Sequence, residues 1–418
     1  VTASTTDTDR AFLKRALELA EAGRGRVSPN PLVGAVVVRD GRVIGEGFHA
    51  ELGGLHAERA ALEDCRAGGE EPTGATLYVS LEPCAHHGRQ PPCADAVLEA
   101  GIARVVIGSE DPSEKAGGRG PGILRDGGIE VSFAAGEEAT AARLLNQPFR
   151  KHARTGLPLV VLKLAISLDG QTETAPGDSP WISGEPARSL VHRWRADSDA
   201  IAVGIGTAIA DDPLLTARPP TDAARPIPKA GGPPTDAAGT TSAPAVRQPL
   251  RAVFDSHARL PLDSRLLRTV AKSPVIVLAS EGAEPSRVAA LREAGAEVVI
   301  AGGSTPTDRL HAALSDLGRR DITSLFLEGG RTLAAAFMAA EQIDETRTFI
   351  SPILIGTPTA EGSDSSRAGG VETGRVDDDP ARSAPLVPTT GPARVAAVHS
   401  AVEMVGDDVL IVSRFKEW

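Results

Sequence analysis

Leu13, Ala16, Leu17 and Ala20 recur at helical spacing, which predicts an amphipathic helix over residues 8–22 with Thr8 as its cap and Gly23 as its stop. The pattern then changes period. Val33 to Val38 is a β-branched run, Asp40 and Gly41 supply a turn that tolerates positive φ, and Arg42 to Phe48 is extended again, so a hairpin is expected. The chain continues with a helix over His56 to Cys65, a strand over Thr76 to Ser80 and a Pro/Cys-rich loop. A helix over Ala94 to Ala100 and a strand over Ala103 to Ile107 come next. Such alternation favours a layered α/β/α domain.

Past a basic connector, Arg150 to Arg154, the apolar run Leu159 to Ile166 predicts a buried strand and the start of a second sheet. Further strands are expected at Ala200 to Val203, Arg251 to Phe254, Val275 to Leu278, Glu297 to Ile300, Ser324 to Leu327 and Arg347 to Ile350. Helical stretches separate most of them, so this half is also α/β with a mostly parallel sheet. Residues 219–249 and 360–392 break the pattern. They are rich in Pro, Gly, Ala, Ser, Thr and Asp, and read as loop insertions with little intrinsic order. A chain of 418 residues exceeds one ordinary core. The expected division is a first domain over residues 1–146 and a second over 157–418.

Composition narrows the function classes. With 41% apolar and 24% charged residues the chain is that of a soluble globular protein, and no apolar run approaches the roughly 18 residues of a membrane helix. Residues 1–10 precede no apolar segment and do not read as a secretory signal, so the cytoplasm is the expected compartment. The three cysteines all lie before residue 100, an odd number that argues for free, metal-bound or catalytic thiols. A net charge of -11 argues against generic nucleic-acid binding, so an anionic substrate must meet local Arg or Lys clusters.

The strongest chemical signal is His56-Ala57-Glu58 followed by Pro83-Cys84 and then Cys93. One imidazole and two thiolates suit zinc, and three protein ligands leave the fourth position for water, as in catalytic sites. Water on zinc titrates near about 7, and a carboxylate two residues from a ligand is placed to move protons, which assigns that role to Glu58. Zinc deaminases are built this way, with the glutamate not a ligand. Their usual second half is Pro-Cys-x-x-Cys, whereas here residues 85–92 separate the cysteines. Cys65 falls outside the pattern and reads as a small core residue.

That longer loop, Cys84 to Cys93, resembles the one in the bifunctional riboflavin-biosynthesis deaminase/reductase family. Pro29-Asn30-Pro31, Val33 to Val38, Gly45 to His49 and Leu81-Glu82-Pro83-Cys84 resemble it too. So do Leu162 to Gly170, Ser179 to Ser183, Ala210 to Pro213 and Glu328-Gly329-Gly330, which extends the resemblance over both halves apart from the insertions. It implies a cytidine-deaminase-like α/β/α domain followed by a dihydrofolate-reductase-like α/β domain. The implied cofactors are one Zn2+ per chain and NADPH. The implied substrate is a phosphorylated ribosylaminopyrimidine, first deaminated and then reduced from ribosyl to ribityl, and the implied assembly is a homo-oligomer.

The resemblance also assigns residues. Asn30, His49 and Arg89 would contact base or phosphate in the first site. Ala165, Trp181, Thr207, Asp211, Ser256, Gly329 and Gly330 would contact the nicotinamide cofactor, and Ser179, Arg195, Leu214, Arg218 and Glu328 the phosphorylated sugar. Independently of family, Gly329 and Gly330 follow a predicted strand and precede an Ala-rich helix, where backbone amides can approach a phosphate. Gly204-Ile205-Gly206 is too incomplete for a Rossmann fingerprint. Asp211, Glu328 and Lys163 are the candidates for supplying a proton as the sugar ring opens. The family's Asp-Pro-Asn is Asp111-Pro112-Ser113 here. Two alternatives compete with this reading: a nucleoside or tRNA deaminase with an unrelated C-terminal domain, and a zinc-stabilised binding protein in which Glu58 is dispensable.

Overall fold

A computed structural model describes residues 6–86, 91–114, 116–174, 179, 181–219, 247–356 and 395–418. Helix α1 (Asp7–Glu21) is closed by a capping box in which Thr6 accepts from the Asp9 backbone and the Asp9 carboxylate accepts from that of Thr6. The cap is therefore Thr6 and not Thr8. Asp9, three residues after Thr6, completes a reciprocal pair, whereas Ala11 stands three residues after Thr8. The hairpin β1 (Gly34–Arg39) and β2 (Arg42–Phe48) turns at Asp40 and Gly41, both at positive φ, as that turn type requires.

Next in order come α2 (Ala57–Ala67), β3 (Thr76–Val79), α3 (Cys93–Glu99), β4 (Arg104–Ile107), α4 (Arg119–Asp126), β5 (Glu130–Phe133) and α5 (Gly136–Leu145). The five strands lie in the order β2-β1-β3-β4-β5. The hairpin pairs antiparallel with β3, and β3, β4 and β5 run parallel. On one face Leu13, Leu19, Val36 and Tyr78 are buried together, on the other Leu62, Leu77, Val97 and Leu124. Burying each large aliphatic side chain contributes about 1.5–3 kcal/mol. Close packing of α2 depends on Gly45 and Gly47. A Cβ there would stand 2.4 Å from the Ala61 carbonyl oxygen and 2.3 Å from its nitrogen, respectively.

Helix α6 (Gln147–Thr155), read from sequence only as a basic connector, leads to β6 (Leu159–Ser167). The second half continues through α7 (Glu185–Asp197), β7 (Ala200–Gly204), α8 (Ile205–Asp211), β8 (Leu250–Phe254), α9 (Arg265–Arg268), β9 (Val275–Ala279), α10 (Pro285–Glu293) and β10 (Glu297–Ile300). It ends with α11 (Pro306–Arg319), β11 (Ser324–Glu328), α12 (Arg331–Ala339), β12 (Glu345–Ser351), β13 (His399–Val405) and β14 (Asp408–Arg414). These strands form one sheet in the order β10-β9-β8-β7-β11-β6-β12-β14-β13. The run from β10 to β12 is parallel, whereas β14 and β13 pair antiparallel at one edge. That C-terminal hairpin has no sequence counterpart above. It follows an insertion, and β13 is exposed along nearly its whole length, so no alternating pattern marks it.

The halves are joined through α6. The Lys151 ammonium meets the Asp344 carboxylate at 2.6 Å with both groups buried. The same carboxylate accepts from the Val160 backbone at 2.8 Å and from the Trp418 indole at 3.0 Å. His152 contacts the Gly318 carbonyl at 2.9 Å. The insertions expected at 219–249 and 360–392 lie almost wholly outside the described residues.

Candidate active sites

In the first half, two helix N-termini and one loop converge. His56 is the N-cap of α2, Glu58 lies in that helix's first turn, and Cys93 opens α3. Cys84 follows β3, and its sulfur accepts from the Cys93 backbone N–H at 3.3 Å. The His56 Nδ1 atom stands 3.5 Å from Cys84 Sγ and 3.3 Å from Cys93 Sγ. Among the described residues these three form a group of metal-ligand geometry, their donor atoms all within 4.8 Å of one another.

The charge state of this group indicates what it can hold. A hydrogen bond from Cys93, ahead of that from His56, brings the Cys84 thiol down to about 4, while the Cys84 sulfur and burial push Cys93 strongly upward. Two adjacent thiols, one buried and one half-buried, therefore share one negative charge until a cation compensates the second. One imidazole and two sulfurs at this separation fit zinc. Burial, then the Cys84 charge, raises Glu58 to about 7, so its carboxyl can hold or release a proton near neutrality.

Beside this group the His49 ring lies 5.4 Å from that of His56, edge to face. His49 Nδ1 is 2.9 Å from the Leu55 carbonyl, which only accepts, so Nδ1 carries the proton and Nε2 accepts from the Asn30 amide at 3.1 Å. Burial lowers the His49 pKa, in keeping with that neutral tautomer. Both ring nitrogens are thus engaged, and Asn30 is held by its amide. The Ser113 backbone N–H donates to the Asp111 carboxylate at 2.8 Å in a local turn. Arg89 lies outside the described residues.

In the second half, the strand order reverses around β11, which is inserted between β7 and β6. Ligands of open α/β sheets bind beyond the carboxyl ends of strands at such a point. Ala165 lies near the carboxyl end of β6, Thr207 and Asp211 follow β7 on α8, Ser256 follows β8, and Gly329 and Gly330 follow β11. Gly329 has φ +116, and a Cβ on it would meet Thr207 Oγ1 at 2.9 Å. The Gly330 N–H donates to that same hydroxyl at 3.0 Å. This turn before α12 leaves no room for a side chain at Gly329 and brings bare backbone to a helix N-terminus, a place suited to phosphate in general.

Arg195 grips Glu328 bidentately at 2.5 and 2.8 Å and reaches the Thr216 carbonyl at 3.3 Å. Lys163 is paired with Glu328 in the β6/β11 register, and burial lowers its pKa. Arg218 leans on His192 at 3.4 Å. Trp181 is 60% exposed and stacks on the Arg188 guanidinium at 4.9 Å, so it is no core aromatic. The Ser179 hydroxyl accepts from the Trp181 backbone at 3.3 Å. The Leu214 carbonyl accepts from buried Arg251 at 3.1 Å. The sequence reading missed His192. A histidine three residues before Arg195 on a predicted helix was the available signal, and without the fold nothing placed Arg218 against it.

Comparison with known proteins follows the same division. Residues 6–109 match the model of the cytidine and deoxycytidylate deaminase zinc-binding region, and residues 158–371 match that of the RibD C-terminal domain. The riboflavin biosynthesis protein RibD of Actinobacillus pleuropneumoniae is 38% identical over 85% of this chain and 87% of its own length. Its Escherichia coli K12 counterpart is 39% identical over 84% and 89%. Among solved structures, a diaminohydroxyphosphoribosylaminopyrimidine deaminase/5-amino-6-(5-phosphoribosylamino)uracil reductase from Thermotoga maritima superposes with a TM-score of 0.74 at 33% identity, covering 98% of this chain and 99% of that one. RibD from Acinetobacter baumannii gives 0.73 at 33% identity and the same coverage.

Proposed function

The chain belongs to the bifunctional deaminase/reductase family of riboflavin biosynthesis, and from that premise we propose how its residues divide two reactions. Residues 1–146 carry the deamination of 2,5-diamino-6-(5-phosphoribosylamino)pyrimidin-4-one. Residues 157–418 carry the NADPH-dependent reduction of the ribosyl group of the product to ribityl. The observation that carries this reading is the convergence of His56, Cys84 and Cys93 beside a buried Glu58 raised to about 7.

His56, Cys84 and Cys93 hold zinc, which when bound supplies Lewis acidity and a water of lowered pKa. The Glu58 carboxyl takes a proton from the attacking water, passes it to the pyrimidine ring nitrogen and then serves the departing ammonia. Asn30, oriented by His49, faces the base, and Arg89 is assigned to the same pocket by resemblance. In the second half, Ala165, Trp181, Thr207, Asp211, Ser256, Gly329 and Gly330 bind NADPH, which when bound supplies the reducing equivalent. Ser179, Arg195, Leu214, Arg218 and Glu328 hold the phosphorylated sugar, with guanidinium groups suited to phosphate oxygens.

The test is a coupled assay on the diaminopyrimidine phosphate that follows ammonia and NADPH separately. Ammonia release without NADPH, then NADPH oxidation on the product, is the expected course. Turnover of a free nucleoside or of tRNA without NADPH oxidation would instead favour an unrelated second domain. We also assign the chain to a homo-oligomer. In support, β13 is a sheet edge among the described residues and leaves Val402 and Met404 67% and 64% exposed, an apolar strip suited to burial against a second copy. Light scattering on the purified chain measures this. No helix among the described residues is long and apolar enough to cross a membrane.

A further inference from the structure

His192 lies three residues before Arg195 on α7, so the two side chains project from neighbouring positions of one helix face. Its Nε2 atom is 3.4 Å from an Arg218 Nη2 atom. A guanidinium only donates, so Nε2 must be the acceptor and the ring must be neutral, with its proton on Nδ1. That Nδ1 is buried and makes no hydrogen bond among the described residues. Burial, followed by the charges of Arg195 and Arg218, brings the His192 pKa down to about 4, against the pull of Glu328. The ring therefore remains an acceptor at neutral pH.

The two arginines are held differently. Arg195 is locked by Glu328 and by the Thr216 carbonyl, which together engage Nε and both terminal nitrogens. Arg218 stands on the loop after α8, and among the described residues the His192 ring is its hydrogen-bond partner. Among the described residues no carboxylate orients it, and an arginine side chain has large rotamer freedom to lose before it can serve a ligand. A neutral acceptor can orient such a cation without neutralising it, whereas a carboxylate would compete with an incoming anion.

We propose that His192 is a positioning residue of the reductase site, whose neutral Nε2 holds the Arg218 guanidinium aligned beside Arg195 to receive the substrate's phosphate. This rests on the reading that Arg218 faces that phosphate, and the experiment separates the two ideas. Full-length His192→Leu, His192→Gln and Arg218→Ala variants are compared in steady-state reduction of the phosphorylated substrate and of its dephosphorylated counterpart, with NADPH also varied. His192→Leu should raise KM for the phosphorylated substrate about tenfold, the worth of one oriented hydrogen bond. Its kcat and its KM for NADPH should stay within about twofold of the parent, and its use of the dephosphorylated compound should not change. His192→Gln, whose amide oxygen can accept from Arg218, should restore KM to within about threefold. Parental KM in His192→Leu while Arg218→Ala raises it would overturn the role of His192. An equal loss on both substrates would overturn it too, since a merely structural residue behaves that way. No effect of Arg218→Ala would overturn the phosphate reading itself, and the proposal with it.

Discussion

The two candidate sites are opposite in charge and in construction. The first is electron-rich: two sulfurs and the Glu58 carboxyl crowd one imidazole, and the second thiol resists ionisation until a cation arrives. The second gathers Arg195 and Lys163 around the Glu328 carboxylate, sets Arg218 near Arg195, and keeps His192 neutral. One site is thus incomplete without a metal and the other without an anion. Each half advertises its ligand by the protonation states that it suppresses when alone.

The two sites also sit differently on the shared scaffold. Asn30 lines a groove with Thr323 and Ser324, at the amino end of β11, whereas Glu328 and the glycine turn lie at its carboxyl end. Asn30 therefore faces the amino end of that strand, and the glycine turn lies at the opposite end. Perturbing one should leave the other working.

Metal removal puts that independence to its largest test. A strong zinc chelator is expected to abolish ammonia release while NADPH oxidation on the already deaminated compound continues; joint loss of both would mean that zinc supports the whole fold. Next in size, Glu58→Ala should keep zinc, measured by metal analysis, and lower ammonia release by about 10²–10⁴-fold, the worth of a general acid/base. Deamination that persists in that variant would break the assignment. On the other side, Arg195→Ala should raise KM for the phosphosugar about 10–100-fold and leave NADPH binding nearly unchanged, as expected for lost charge-assisted hydrogen bonds. Equal loss of both in a folded variant would sink the phosphate role. The smallest effect is expected from Gly329→Ala, which places a Cβ at positive φ against Thr207 and should weaken NADPH binding about tenfold by titration. Ammonia release in that variant should be unaffected.

Much of this was legible because histidine and cysteine are rare and chemically committed. His56, Glu58, Cys84 and Cys93 marked a zinc deaminase before any fold was known, and the long loop between the cysteines pointed to one family. Strand periods located β6 to β12, since buried parallel strands are written as continuous apolar runs. In the hairpin β13–β14, the exposed edge strand β13 was not legible, because it needs no apolar alternation, whereas the run Val409 to Val412 in β14 was a strand signal left unread. Thr6 as the cap was passed over because Thr8 lies closer to the first apolar positions, whereas Asp9, three residues after Thr6, completes the capping box.

The sequence by itself determined which chemistries the chain carries, because ligand softness, carboxylate acidity and glycine's missing side chain are properties of single residues. Only the tertiary structure decided which groups meet: Arg195 with Glu328 across 133 positions, Lys151 with Asp344 across 193, and Arg218 with His192 across 26. Strand order sets those meetings, and strand order depends on how helices and sheets cover one another's apolar faces. No local pattern encodes that.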